Sequence, residues 1–98
     1  MPPGVAPLAE IKKQLRDFIR RELIGNPRYP LADDDPLVTG GLIDSFALAH
    51  IGVFIERAFD VYLLDTELTV ENMNTVDQIA ARVVRGTRGT RGHESSGR

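Results

Sequence analysis

The chain has 98 residues, with 12 Lys and Arg against 14 Asp and Glu and a formal net charge of −2, and this length suffices for one domain with a single core. It contains no cysteine, which excludes disulfide frameworks, thiolate metal sites and a cysteine nucleophile. Residues 33–77 contain ten acidic side chains and one basic side chain, Arg57, so this span would repel a nucleic-acid backbone and favours basic partner proteins.

The first predicted element is an amphipathic helix that begins at Leu8. Its apolar residues recur at spacings of three and four, which is the helical period: Leu8, Ile11, Leu15, Phe18, Ile19 and Leu23. Gly25-Asn26-Pro27 predicts the end of this helix, because Gly accepts a left-handed cap and Pro lacks the amide hydrogen that would continue it. The loop that follows, from 26 to 41, is long, and its apolar residues predict that it packs against the core: Tyr29, Leu31, Leu37 and Val38.

A second helix is predicted from Asp44, whose carboxylate can accept amide hydrogens of the first turn, through Ser45 to about Ala58. Its buried stripe is predicted at Leu48, Ile51, Ile55, Ala58 and Phe59. The segment 59–64 alternates like a strand, but no second strand-like run exists to pair with it, so we expect a packed loop. The acidic segment 65–72 predicts at most a short third helix.

The last helix is predicted to start at Thr75, because Thr75 and Gln78 match a capping box, and to end near Arg85. Its narrow apolar stripe consists of Val76, Ile79, Ala80 and Val83. Residues 86–98 have no apolar side chain to bury, so we expect a disordered basic tail there. The predicted fold is all-α: a small four-helix bundle of three main helices and one short helix with a long first loop, folded over residues 8–85 after a flexible N-terminus at 1–7.

The most informative string is Gly40-Gly41-Leu42-Ile43-Asp44-Ser45-Phe46, at the point where the loop becomes a helix. A serine at such a junction exposes its hydroxyl beside the free amides and the positive end of the helix dipole. A phosphate ester on that oxygen would be stabilised there by about 0.3–1 kcal/mol. A phosphodiester on Ser45 is therefore the chemistry that the position suggests.

This string resembles the signature of the acyl and peptidyl carrier protein family, Gly-x-Asp-Ser followed by a large apolar residue, in which the serine carries 4′-phosphopantetheine. The likeness extends from Leu8 to Val84 and includes Leu68-Thr-Val-Glu-Asn before the short helix and Asn74-Thr75-Val76 at the start of the last one. The resemblance implies that Ser45 is the attachment site and that Asp44 caps the helix beside it. It also implies partner contacts on the surface, which we expect at Leu42, Phe46, Val53 and Glu56.

The resemblance further implies a carrier without catalytic residues of its own, whose prosthetic arm supplies the thiol that the sequence lacks. Such an arm holds acyl or aminoacyl groups as thioesters and delivers them at high effective concentration to several enzymes. The expected partners are a phosphopantetheinyl transferase, an acyl- or aminoacyl-loading enzyme, and downstream synthase, condensation or tailoring enzymes. An unmodified helical interaction module of the same shape is the alternative from another class.

Several positions depart from the pattern of fatty-acid carriers. Ala47, His50 and Arg57 stand where acidic residues are common, Leu64 replaces a frequent proline, and Tyr62 replaces a frequent acidic residue. These departures favour a discrete carrier in polyketide, nonribosomal peptide or related biosynthesis over a carrier for fatty-acid synthesis, which stays open as an alternative.

Three other features receive simpler interpretations. His50 lies about 140° around an ideal helix from Ser45 and cannot readily act as its base, and the chain lacks the Gly-x-Ser-x-Gly elbow of serine hydrolases. Asp33-Asp34-Asp35 lacks the spacing of a calcium loop, so we expect a solvated acidic turn and no metal site. The tail arginines, spaced by three residues, have no aromatic neighbours, so we expect a solubilising tail and no contact with nucleic acid or membrane.

The sequence also predicts where the protein resides. Its longest apolar stretches are a few residues, far below the ~18–20 that a membrane-spanning helix requires. Met1-Pro2-Pro3-Gly4 lacks the basic start and apolar run of a signal peptide. We therefore expect a cytoplasmic monomer.

Overall fold

The computed structural model describes residues 7–88. Within that range it contains four α-helices: α1 (Leu8–Phe18), α2 (Ala47–Phe59), α3 (Val70–Met73) and α4 (Val76–Arg85). A π-helical segment, Ile19–Ile24, continues α1, and a 3-10 turn, Asp65–Glu67, precedes α3. Two short strands, β1 (Val61–Tyr62) and β2 (Thr87–Arg88), complete the fold. The prediction of a small helical fold with three main helices, one short helix and a long first loop is confirmed.

The first helical stretch extends to Ile24, as its apolar spacing predicts, but its last six residues are π-helical. Ile11, Leu15 and Ile19 form its buried face, whereas Leu8 is 48% exposed. Gly25 ends the helix with φ of 82°, in the left-handed conformation expected for a glycine cap.

The long loop after α1 packs against the core, as predicted. Leu31 and Leu37 are buried, and Tyr29 and Val38 are partly buried against the same cluster. The acidic turn is less solvated than expected, because two of its three carboxylates bond within the protein. Asp33 accepts from Arg16 on α1 at 2.6 Å, and an oxygen of the Asp35 carboxylate accepts from the Ala32 amide at 2.8 Å.

Helix α2 crosses the core, and most of its predicted stripe is buried: Leu48, Ile51, Ile55 and Phe59. Ala58 is exposed, so that part of the prediction was wrong, and Ala47 is buried instead. Ala58 lies two turns after Ile51 and in nearly the same direction around the helix. Its exposure therefore reflects where neighbouring chain covers the helix, which spacing alone does not determine.

The prediction that 59–64 is a packed loop was wrong at Val61–Tyr62. These residues pair in antiparallel fashion with Thr87–Arg88, in the register Val61 to Arg88 and Tyr62 to Thr87. The pairing is possible because Gly86 has no side chain: a Cβ at this position would overlap the Val61 side chain. The partner strand thus lies in the segment predicted to be a disordered tail. For residues 89–98, and for residues 1–6, the predictions concern positions outside the described range.

Helix α4 begins at the predicted cap. Thr75 Oγ1 accepts from the Gln78 amide at 3.0 Å, but Gln78 Oε1 accepts from the Asn74 amide and not from that of Thr75. The predicted stripe is buried in full: Val76, Ile79, Ala80 and Val83. Asp77 pairs with Lys12 of α1 at 2.8 Å, and the hydrogen bond between them raises the pKa of the Lys12 ammonium. These contacts hold α4 against α1.

Two further observations complete the fold. The hydrogen bond from Arg20, supported by Lys13, lowers the pKa of Asp17 on α1. Within residues 7–88, no helix is both long and apolar enough to cross a membrane.

Candidate functional site

The string that contains Ser45 begins in a tight turn. The Gly40 amide donates to the Pro36 carbonyl at 3.1 Å, and the Gly41 amide donates to the Val38 carbonyl at 3.1 Å. A Cβ at position 40 would overlap the Pro36 carbonyl oxygen. Gly41 has φ of 82°, a conformation that residues with side chains rarely adopt. Each glycine is therefore required by the turn, for a different reason.

The turn is fixed to the core at both ends. Leu37 is fully buried and Ile43 nearly so, and the Leu37 carbonyl accepts from the amides of both Leu42 and Ile43, at 2.9 and 3.0 Å. One buried apolar side chain therefore lies on each side of the glycines, Leu37 before them and Ile43 after them. Their burial sets the direction in which the chain enters α2. The residues that follow Ile43 are thereby presented at the surface.

The Asp44 Oδ1 accepts from the amide of Ala47, the first residue of α2, at 3.0 Å, whereas Phe46, directly before the helix, makes no side-chain cap. The α-helix itself begins three residues later than predicted, at Ala47. Residues 44–46 form a turn in which the amides of Ala47 and Leu48 donate to the carbonyls three residues earlier. Ser45 is exposed on this turn. Its hydroxyl thus lies where the chain passes from loop to helix, with the 13-residue helix α2 following it.

A shallow groove of about 190 Å³ lies between α2 and the segment 62–68. The α2 residues that line it follow Ser45 at near-helical intervals, so they share its side of the helix: Ala49, Gly52, Val53 and Glu56. Gly52 lets Leu68 approach closely, because a Cβ at position 52 would lie 3.1 Å from Leu68 Cδ1. The groove is open, and two acidic residues, Glu56 and Asp65, are among those that line it.

Of the predicted partner contacts, two are strongly exposed: Phe46 at 82% and Val53 at 53%. Leu42 is partly buried against the core, and Glu56 is partly buried on α2. Phe46 and Val53 are seven residues apart, about two helical turns, so they face the same way.

The structure adds two exposed apolar residues that the sequence did not assign to a surface. Tyr62 is 39% exposed and Leu64 is 54% exposed, and Tyr62 lines the groove together with Val53. The alternation of buried Val61 and Leu63 with exposed Tyr62 and Leu64 was the signal that could have identified them. We call Phe46, Val53, Tyr62 and Leu64 the apolar surface.

The polar candidates outside this string have simple surroundings. His50 is exposed on α2. Among the residues that the structure describes, no group of three or more His, Cys, Asp and Glu side chains could hold a metal ion.

Comparisons with known proteins identify the family to which this chain belongs. The chain is 34% identical over 73 residues, 74% of its own length and 91% of theirs, to D-alanyl carrier proteins of Lactococcus lactis. These relatives come from subsp. cremoris strains MG1363 and SK11 and from subsp. lactis strain IL1403. No family profile and no solved structure matches the chain.

The chain belongs to the family of small carrier proteins of the acyl and peptidyl carrier type. The resemblance stated from its sequence is thereby confirmed, as is the helical fold expected of it.

Proposed function

We propose that this protein carries an aminoacyl group as a thioester on a 4′-phosphopantetheine arm attached to Ser45. The observation that carries the proposal is the exposed Ser45 in the turn that leads into α2, beside Asp44, whose carboxylate accepts from the first amide of that helix, in a chain related to carrier proteins. A chain without cysteine must obtain its thiol from such an arm.

The residues around Ser45 suit a phosphate ester. The positive end of the α2 dipole lies directly after Ser45 and favours a negative group there. Ser45 is exposed, as are Asp44 and Phe46 on either side of it, so the serine is accessible to a modifying enzyme. The groove beside α2 is open and partly lined by apolar side chains. One of its lining residues, Ala49, lies four residues after Ser45 and so close to the base of the arm.

The attachment reaction uses one atom of this chain. Ser45 Oγ attacks the phosphorus of coenzyme A that bears pantetheine, forming a new O–P bond as the bond to the nucleotide phosphate breaks. Adenosine 3′,5′-bisphosphate leaves, and the hydroxyl proton passes to a base of the phosphopantetheinyl transferase. The arm supplies a thiol, which forms the activated thioester with the cargo.

The names of the relatives favour an aminoacyl cargo. Those proteins are D-alanyl carriers, and we propose that this chain likewise accepts a small amino acid from an adenylating enzyme. A downstream condensation or tailoring enzyme would then consume the thioester, in nonribosomal peptide, polyketide or related biosynthesis. Supporting this choice, His50 and Arg57 reduce the acidity of α2 relative to fatty-acid carriers.

The cargo is tested by loading the modified protein. We expect a thioester with D-alanine or another small amino acid when the protein is incubated with ATP and a panel of adenylating enzymes, and little transfer from a panel of acyl-CoAs by acyltransferases. Intact mass before and after mild hydroxylamine treatment identifies the thioester. Loading by acyl groups alone would overturn the aminoacyl assignment while leaving the carrier function in place.

Partner enzymes are proposed to dock on the apolar surface. Two of its four residues, Val53 and Tyr62, line the groove beside α2, and Glu56 and Asp65 line the same groove. A complementary partner would place an apolar patch against Phe46 and Val53 and basic side chains opposite the carboxylates.

Replacement of Phe46 tests this docking. Because its ring is 82% exposed, Phe46→Ala is expected to change the free energy of unfolding by less than about 0.5 kcal/mol. If the ring anchors partners, the KM of the transferase or loading enzyme for the carrier rises by about tenfold or more.

A matched control is Val84→Ala on α4, where the valine is 59% exposed but lies outside the apolar surface. Its KM is expected to equal that of the wild type. An unchanged KM for Phe46→Ala would remove Phe46 from the docking surface, and a large loss of stability would place it in the core.

A further inference from the structure

Asn74, in the junction between α3 and α4, forms hydrogen bonds with a segment that is distant from it in the chain. Its Oδ1 accepts from the amides of Val38 and Thr39, at 2.9 and 3.2 Å. Its Nδ2 donates to Thr39 Oγ1 at 2.9 Å, and its main-chain carbonyl accepts from the Leu37 amide at 2.7 Å. One residue thus binds three consecutive residues that lie about 36 positions earlier in the chain.

Asn74 is itself held in place by the helices on either side. It follows α3 directly, and its own amide donates to Gln78 Oε1 in the first turn of α4, at 3.0 Å. Met73 and Val76, its neighbours in the junction, are fully buried. The contacts of the α3–α4 junction therefore set the position of Asn74.

The hydrogen bonds continue from Asn74 towards Ser45. The carbonyl of Leu37, whose amide bonds to Asn74, accepts from Leu42 and Ile43. Ile43 is followed at once by Asp44 and Ser45. The whole turn from 37 to 43 is thereby tied to the α3–α4 junction, and only two residues separate Ile43 from the exposed Phe46.

We propose that Asn74 is a positioning residue for the modification of Ser45: it holds the 37–43 turn in the one conformation in which the transferase meets the serine. This inference rests on the proposed function. A turn that is ordered before binding saves the entropy that would otherwise be lost in the complex, and this advantage appears in the KM for the carrier. Asn74 does not touch Ser45 and takes no part in the chemistry.

The test compares three variants of the full chain. Asn74→Ala removes the side-chain bonds to Val38 and Thr39, and we expect their amides to exchange hydrogen at least tenfold faster and the KM of a phosphopantetheinyl transferase for the carrier to rise about tenfold. Asn74→Asp keeps an oxygen at the same place, and we expect it to restore the protection of both amides and to keep KM within about threefold of the wild type. The kcat is expected to stay near the wild-type value in both.

Asn72→Ala is the matched control. Asn72 also lies in this region and bonds through its side chain to Arg82 and Glu67, but within residues 7–88 it forms no hydrogen bond with the 37–43 turn. We expect Asn72→Ala to lose about as much stability as Asn74→Ala, while its KM stays that of the wild type. Circular dichroism confirms that each variant is folded at the assay temperature.

The outcomes separate the two proposals. If the wild type gains no phosphopantetheine, the proposed function fails, and with it this inference. If the wild type is modified but Asn74→Ala keeps its KM, or if Asn72→Ala raises KM equally, the positioning role fails while the carrier function stands. If the amides of Val38 and Thr39 exchange hydrogen at the wild-type rate in Asn74→Ala, the Asn74 side chain does not hold the turn.

Discussion

Ser45→Ala is expected to abolish the gain of one phosphopantetheine group when the protein is incubated with coenzyme A and a broad-specificity transferase. The substitution removes the only atom that the proposed reaction uses from this chain, the Ser45 oxygen. The serine is exposed, so its loss should change the free energy of unfolding by no more than about 0.5 kcal/mol. Intact mass spectrometry measures the gain directly, and loss of the mass shift in a fully folded variant would assign the site.

The sequence offers an internal control for this experiment. Serine occurs at two other positions, Ser95 and Ser96, both in the segment beyond the described residues. The double variant Ser95→Ala/Ser96→Ala should gain the full mass, because neither serine follows the Gly-x-Asp pattern of the motif. A full gain in Ser45→Ala, or its loss in the double variant, would contradict the assignment. No gain in the wild type would favour the unmodified interaction module.

Gly40→Ala is expected to destabilise the protein by about 1–3 kcal/mol, the range for inserting atoms into an occupied space. The added Cβ would overlap the Pro36 carbonyl oxygen, which also accepts the Gly40 amide hydrogen. A backbone oxygen cannot rotate away as a flexible side chain can, so the turn must open. Urea unfolding measures the loss, and the modification of Ser45 should slow because the opened turn leads directly into the serine.

Gly25→Ala separates stability from positioning. Gly25 also requires glycine, with φ of 82° and open space around it, but it caps the first helix instead of forming the Ser45 turn. The left-handed conformation costs a residue with a side chain about 1–2 kcal/mol. This variant should therefore lose comparable stability while its rate of modification, measured below the unfolding transition, stays that of the wild type. Wild-type stability in Gly40→Ala would show that the turn can relax around a methyl group.

The helices were predictable because the signals that define them are local. Helix α4 shows this most clearly: the Thr75 cap, the four buried residues and the end at Arg85 are all as the sequence predicts. Its Gln78 side chain differs, since it accepts from Asn74 and so bonds one residue earlier than the capping box requires. Local hydrogen-bond rules identified the helix, and the junction with α3 decided the details of its first turn.

The candidate site was predictable in part for the same reason. The motif predicted a serine where the loop leads into α2 and a carboxylate at Asp44 that bonds to the start of that helix, because both features depend on a few neighbouring residues. The start of α2 at Ala47 was not predicted, since the preceding turn is shaped by bonds that Leu37 and the glycines make. The hydrogen bonds between Asn74 and the 37–43 turn could not be predicted from the sequence, because the two partners are about 36 residues apart in the chain.

By itself, the sequence determined the helical segments, the packed first loop and the serine at a helix start, because periodicity, caps and glycines act over a few residues. The tertiary structure alone decided which apolar residues remain exposed and which distant segments pair. Ala58 is exposed although it points in nearly the same direction from α2 as the buried Ile51. Val61–Tyr62 pairs with Thr87–Arg88, which lies in a segment without apolar residues. Helical spacing fixes the direction of a side chain, whereas burial depends on the chain that folds over it.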